Sequence, residues 1–446
     1  MRRDPIHRRN GLAPETRRVI QRTETLLPSA QQHELEGACA LKAAACEVIA
    51  GHSARVFGEG LRSIVLTGSL ARDEATLARE GDQWTVLGDA EFLLIFHEAA
   101  PLPSGASLNA LRKEIGRALL ERGIVCLVSL SASHSDYLIE IRPHIFAYEL
   151  RTCGQVIWGE REILSLIPAF SPSDIPLEDG WRMLLNRMVE LLEAMGERTT
   201  NPGTVSPDVQ YRAVKLYLDM ATSFLLFHGA YEPTYRRREE RLRSLAADLT
   251  RQGNPPFFPL RAFSELVTAC TEYKLSTTGP TGRGANIRWI CRNPAFWKEL
   301  VAHARALWRW ELERLTGEQG QLPHRQLMKK WMRLQPAGKR LRGWAYVLRG
   351  CGWHRSWREW PHWLRRGWQA SPRCWVYAAA SELFFKLDDF LASAQEARCA
   401  DGEMRELWSW LPLVRKHELP PDLPAWQSLA CEIGWNYHQF LESTQA

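Results

Sequence analysis

At 446 residues the chain is too long for one ordinary core, and its 45% hydrophobic and 24% charged content is that of a soluble globular protein of two or three domains. A net charge of +6 is too modest to argue for nucleic acid by itself, and no run nears the roughly 18 apolar residues of a membrane span. The ten Cys are scattered without a C-x-x-C pair, which excludes a zinc ribbon and points to reduced thiols in a cytoplasmic protein, while the 19 Trp stand out.

In chain order, the basic lead "MRRDPIHRRNGLAPETRRVIQR" lacks the apolar segment of a signal peptide. It passes into the Ala-, Leu- and Glu-rich "HELEGACALKAAACEVIAGHSARVFG", so 1–57 reads as an N-terminal helical segment. From 58 to 165 short β-branched runs, "RSIVLTG", "EFLLIF", "GIVCLVSL" and "GQVIWG", alternate with the helical pattern of "SLNALRKEIGRALLERG"; this predicts an α/β domain with a small mixed sheet. "IPAFSPSDIPLEDG" at 167–180 is a hinge. The remainder of the chain is helical in pattern, with an all-α domain at 175–320 and a second, Trp/Arg-rich helical domain at 321–446, so the whole is an α+β multidomain protein.

Two short stretches of the α/β domain carry chemistry. In "SIVLTGSLARDEATLAR" Gly68 allows a sharp turn with room for an anion, Ser69 offers a hydroxyl, and a helix predicted over 70–79 would aim its N–H groups at phosphate. Arg72 lies one turn into that helix, as a phosphate ligand or a solvated residue. In "GDAEFLLIF" Asp89 and Glu91 are two apart on a strand and share a face, an arrangement that cations such as Mg²⁺ neutralise. Taken singly, these are also the marks of an N-cap and of a solvent-facing acidic pair.

Together, the glycine–serine turn, the D-x-E strand and the strands beyond it resemble the nucleotidyltransferase superfamily that includes DNA polymerase β and the aminoglycoside nucleotidyltransferases. The resemblance covers about 58–160 and implies that Gly68 and Ser69 hold the β- and γ-phosphates of a nucleoside triphosphate. It also implies that Asp89 and Glu91 hold two Mg²⁺ ions in a catalytic domain that moves a nucleoside monophosphate to a hydroxyl acceptor, a small molecule or a protein. The family's third carboxylate belongs on the strand "GIVCLVSLSASHSDY", whose inward positions carry no acid; Asp136, Glu140 or no residue at all fills that role. The alternative is therefore a catalytically silent nucleotide-binding or scaffolding protein, for instance in envelope polysaccharide assembly.

The helical half resembles the segment behind the catalytic domain of antibiotic nucleotidyltransferases, which implies that Lys215 reaches the triphosphate and that Tyr235 and Arg236 line the acceptor side. Lys215 and Asp219 are also spaced as a plain i,i+4 pair. "STTGPTGRGANIRW" lacks the P-loop spacing and reads as a connection, and neither H-E-x-x-H nor G-x-S-x-G occurs. Between His324 and Arg373 thirteen Lys or Arg face a single carboxylate, Glu359, among seven Trp. Trp353, Trp357 and Trp360 follow one helix face, so the region reads either as Trp-filled core under Arg or as a surface for an anionic membrane or polymer, with nucleic acid ranked behind.

Overall fold

Alternation along two strands organises the N-terminal unit, whose elements run α1 (Ser29–Phe57), β1 (Leu61–Thr67), the single turn α2 (Gly68–Ala71), β2 (Leu77–Glu80), β3 (Gln83–Phe96), α3 (Gly105–Glu121), β4 (Ile124–His134), α4 (Ser135–Glu140), α5 (Ile145–Cys153) and β5 (Gln155–Gly159). The computed structural model describes residues 29–81, 83–198, 206–252, 258–276, 294–318, 320, 322–351, 360–387, 401–413 and 424–442. β3 is central. It pairs antiparallel with β1 (Thr67 opposite Glu91) and with β2, and parallel with β4 (Glu91 opposite Ser129, Phe96 opposite His134), while β5 adds to the free side of β1.

Ile64, Leu66, Phe92, Leu94 and Phe96 point to one face of this mixed sheet and form a core with Ile49 of α1 and Ile115 and Leu119 of α3. Val65, Leu93 and Ile95 point to the other, against Leu138 of α4 and Ala147 and Leu150 of α5. The period of two then puts Asp89 and Glu91 on this second face, in line with Leu93 and Ile95.

One expected element is much shorter. The helix predicted over 70–79 is the one turn Gly68–Ala71; Asp73, with φ at 58°, ends it. Leu77–Glu80 pairs instead with Gln83–Val86 as a hairpin, so the stretch between the two motifs is part of the sheet rather than a surface insertion.

Beyond Gly159 no strand occurs among the described residues. The helices are α6 (Leu177–Arg198), α7 (Pro207–Phe227), α8 (Tyr235–Arg251), α9 (Leu260–Leu275), α10 (Pro294–Thr316), α11 (His324–Leu334), α12 (Ala337–Cys351), α13 (Trp360–Gln369), α14 (Pro372–Phe384), α15 (Asp401–Trp410) and α16 (Ala425–Glu442). α7 starts on Ser206, whose hydroxyl accepts from Val209 N–H, with Pro207 in the first turn; α8 starts on Thr234, which accepts from Arg237 N–H. One continuous core joins all of these helices, from Trp181 and Trp308 through Trp331, Trp344 and Trp363 to Tyr437. The change at residue 320 is thus one of composition, and the core runs across it. Trp331, Trp344 and Trp363 fill core, as one of the two readings expected. Trp353 and Trp357 of the expected helix face, the 276–289 connection beyond Ser276 and the basic lead lie outside the described residues. Among those residues no helix is long and apolar enough to cross a membrane.

Candidate functional site

The turn after β1 and the acidic strand β3 meet directly. Gly68 has φ at 67°, and a Cβ there would lie 2.8 Å from Cδ of Glu91, so the position requires glycine for both its backbone and its space. Immediately before Asp89 the β3–β4 pairing slips: four steps on β3, from Thr85 to Asp89, match two on β4, from Val125 to Leu127, and Gly88 takes φ at 139°. The bulge leaves Asp89 exposed while Glu91 is half-buried. Desolvation, then the neighbouring Asp89 charge, pushes the Glu91 carboxyl up to about 7, against the opposing pull of Arg72 and Lys215. Ser69 accepts the Glu74 N–H on its carbonyl (2.8 Å), and its hydroxyl has no hydrogen-bond partner among the described residues.

Opposite stand cations from the helices. Lys274, at the end of α9, is only 3% exposed; its ammonium donates to the Tyr211 hydroxyl (2.9 Å), which donates to the carbonyl of Leu87 in the bulge (2.6 Å). Burial, with Arg72 next, lowers Lys274 to about 8, and Asp89 is among the charges that oppose this. The Lys215 ammonium lies over the same Tyr211 ring, 5.5 Å from its centroid against 5.3 Å for Lys274. Its pKa is lowered by Arg187 and by burial. The expected Lys215–Asp219 pair is not made, because Asp219 accepts from Arg187 at 2.7 Å. Among the described residues neither lysine has a carboxylate within 4 Å.

Arg72 joins the two acids that tie the units together. Its guanidinium bonds Glu149 of α5 (2.6 Å) and Glu74 (3.4 Å) and lies over the Tyr235 ring, 5.6 Å from the centroid. Glu149 is also bonded by Arg238 and by the Tyr231 hydroxyl (2.6 Å), and Glu74 accepts the backbone N–H groups of Tyr235 and Arg236 (3.0 and 3.1 Å) at the start of α8. These bonds engage Arg72, expected as a phosphate ligand or a solvated residue, with two carboxylates and leave its side chain only 6% exposed. They also give Tyr235 a half-buried place between two guanidiniums and leave the Arg236 side chain exposed.

Asp136 is not brought to the pair. Ser129 opposes Glu91, and His134 lies five residues further along β4, roughly 16 Å at strand rise, after which the exposed Asp136 and Glu140 lie on α4. No position of β4 carries an acid. Among the described residues no group of three or more His, Cys, Asp or Glu forms a metal cage. Lys274, Tyr211 and Glu149 were not expected from sequence. Lys274 had a signal: Phe263, Val267, Cys270 and Lys274 form one buried stripe of α9, with lysine where an apolar residue belongs. No family model matches the chain, and no curated protein matches it.

Proposed function

We propose that this cleft binds a nucleoside triphosphate with Mg²⁺ and transfers its nucleoside monophosphate to a hydroxyl acceptor. The observation that carries the reading is a mismatch of charge on both sides of one cleft. Asp89 and Glu91 stand side by side on one strand face as like charges, with Glu91 raised to about 7, and Lys215 and Lys274 lie near them with no carboxylate within 4 Å among the described residues. A metal–polyphosphate satisfies both, since the cation relieves the acids and the phosphates relieve the lysines.

The donor set fits the metal: two carboxylates on one strand face, the inner one raised by burial and then by its neighbour, are the oxygen ligands that Mg²⁺ takes together with phosphate and water. When bound, Mg²⁺ neutralises the charge that develops on the phosphates. Ser69, on the turn that Gly68 permits beside Glu91, donates its hydroxyl to a phosphate oxygen, and the two lysines hold the leaving portion. The acceptor oxygen attacks the α-phosphorus, the bond to the β-phosphate oxygen breaks, pyrophosphate departs, and the hydroxyl proton passes to a carboxylate of the pair. Positioning and charge supply most of such a reaction.

A second reading, nucleotide binding without transfer as part of a scaffold, is favoured by one observation: Ser129 stands opposite Glu91 where a third acid would sit. Incubation with labelled nucleoside triphosphates, Mg²⁺ and a cell extract separates the two. Transfer in the wild type that is lost in Asp89→Ala and Glu91→Ala supports the enzyme, whereas metal-dependent binding with no transfer supports the scaffold.

A further inference from the structure

The Trp/Arg-rich helices carry a surface that the nucleotide site does not use. Across 324–351 and 360–373 there are eleven Lys or Arg and no Asp or Glu. Arg333, Lys339, Arg342, Arg349 and Arg365 are exposed, and the ion pairs that the described residues of this region make are those of Arg325 and Lys330. Five large apolar side chains project from the same elements: Leu334 is 57% exposed, Leu341 71%, Tyr346 43%, Leu364 68% and Trp368 86%. Leu364 and Trp368 are four apart on α13 and share its outer face. Arg340 donates to the Trp368 carbonyl (2.7 Å) and Trp344 to the Ala370 carbonyl (2.8 Å), which sets the start of α12 beside the end of α13 as one corner.

We propose that this corner is a peripheral membrane-binding surface for a bilayer with anionic headgroups. The region has tryptophans in its core, Trp331, Trp344 and Trp363, and still keeps Trp368 outside. An exposed indole beside two exposed leucines, ringed by cations without acids, matches the layers of a leaflet: leucines against acyl chains, the indole at the headgroup level, Lys and Arg on phosphate. Single-stranded nucleic acid asks for aromatic platforms on which bases stack, and three of the five projecting side chains here are leucines. The proposal stands apart from the nucleotide cleft, which uses residues of β3, α7 and α9.

The test is cosedimentation of the full chain with phosphatidylcholine vesicles with and without phosphatidylglycerol, at low and high salt, beside Trp368→Ser, Leu364→Ser, Arg342→Gln and Arg365→Gln. The substituted side chains are exposed or stand at the rim, so the fold is kept, which the melting profile checks. The wild type is expected on the anionic vesicles alone, less so at high salt, with partitioning reduced about fivefold by each arginine change and about tenfold or more by Trp368→Ser. Failure of the wild type to bind anionic vesicles, equal binding by all four variants, or tight capture of a single-stranded oligonucleotide lost in the same variants while vesicles are ignored would each overturn it.

Discussion

At Glu91 the pH dependence of stability runs opposite to that of an ordinary paired carboxylate. Its folded-state pKa is raised, to about 7, so the penalty for burying its charge is absent below about pH 4.5 and grows as pH rises through 7. Glu91→Gln should therefore raise the melting temperature at pH 8, by an amount corresponding to about 2 kcal/mol, and leave it nearly unchanged at pH 4.5; melting curves at the two pH values check this. Mg²⁺ with nucleotide should stabilise the wild type at pH 8 and not this variant. Lys274 gives the complementary signature. Its pKa is depressed to about 8, so its burial penalty is present below pH 8 and vanishes as pH rises toward 10.5. Triphosphate needs the ammonium form, and its affinity should fall between pH 7 and 9, which titration calorimetry measures. Gly68→Ala puts a methyl at φ 67° against Glu91 and should remove nucleotide binding outright.

Among the elements, the contact between the sheet and α8 rests on Glu74 and Glu149. Glu149→Gln leaves Arg72 and Arg238 buried without their shared charge and should cost about 3–5 kcal/mol in urea unfolding, whereas Arg236→Ala, whose side chain is exposed, should cost less than about 0.5 kcal/mol. The strands were legible in the sequence because short apolar and β-branched runs bounded by turn residues suit a sheet: "EFLLIF" ends β3 and "QVIWG" is β5. The helix over 70–79 was not, because Ala, Leu, Arg and Glu favour a helix locally, while pairing with β3 decides the matter at a distance. The same reason hides Glu149 and Tyr211, whose roles depend on partners 77 and 124 residues away in the chain.

In the whole molecule, a mixed sheet and a helical bundle with its own continuous core meet at a charged seam, where Asp89 and Glu91 of one unit lie near Lys215 and Lys274 of the other. The acidic half was legible, since Gly68, Asp89 and Glu91 are close in sequence and their spacing fixes their face. The basic half required the fold, because Lys215 and Lys274 meet only over Tyr211. Equilibrium binding of a fluorescent nucleoside triphosphate to the full chain, with and without Mg²⁺, beside Glu91→Gln and Lys274→Met, tests that arrangement most directly. Metal-dependent binding by the wild type is expected, with loss of that dependence in Glu91→Gln and an affinity about tenfold or more weaker in Lys274→Met with the fold intact. Binding by both variants that equals the wild type, or binding indifferent to Mg²⁺, would contradict the arrangement.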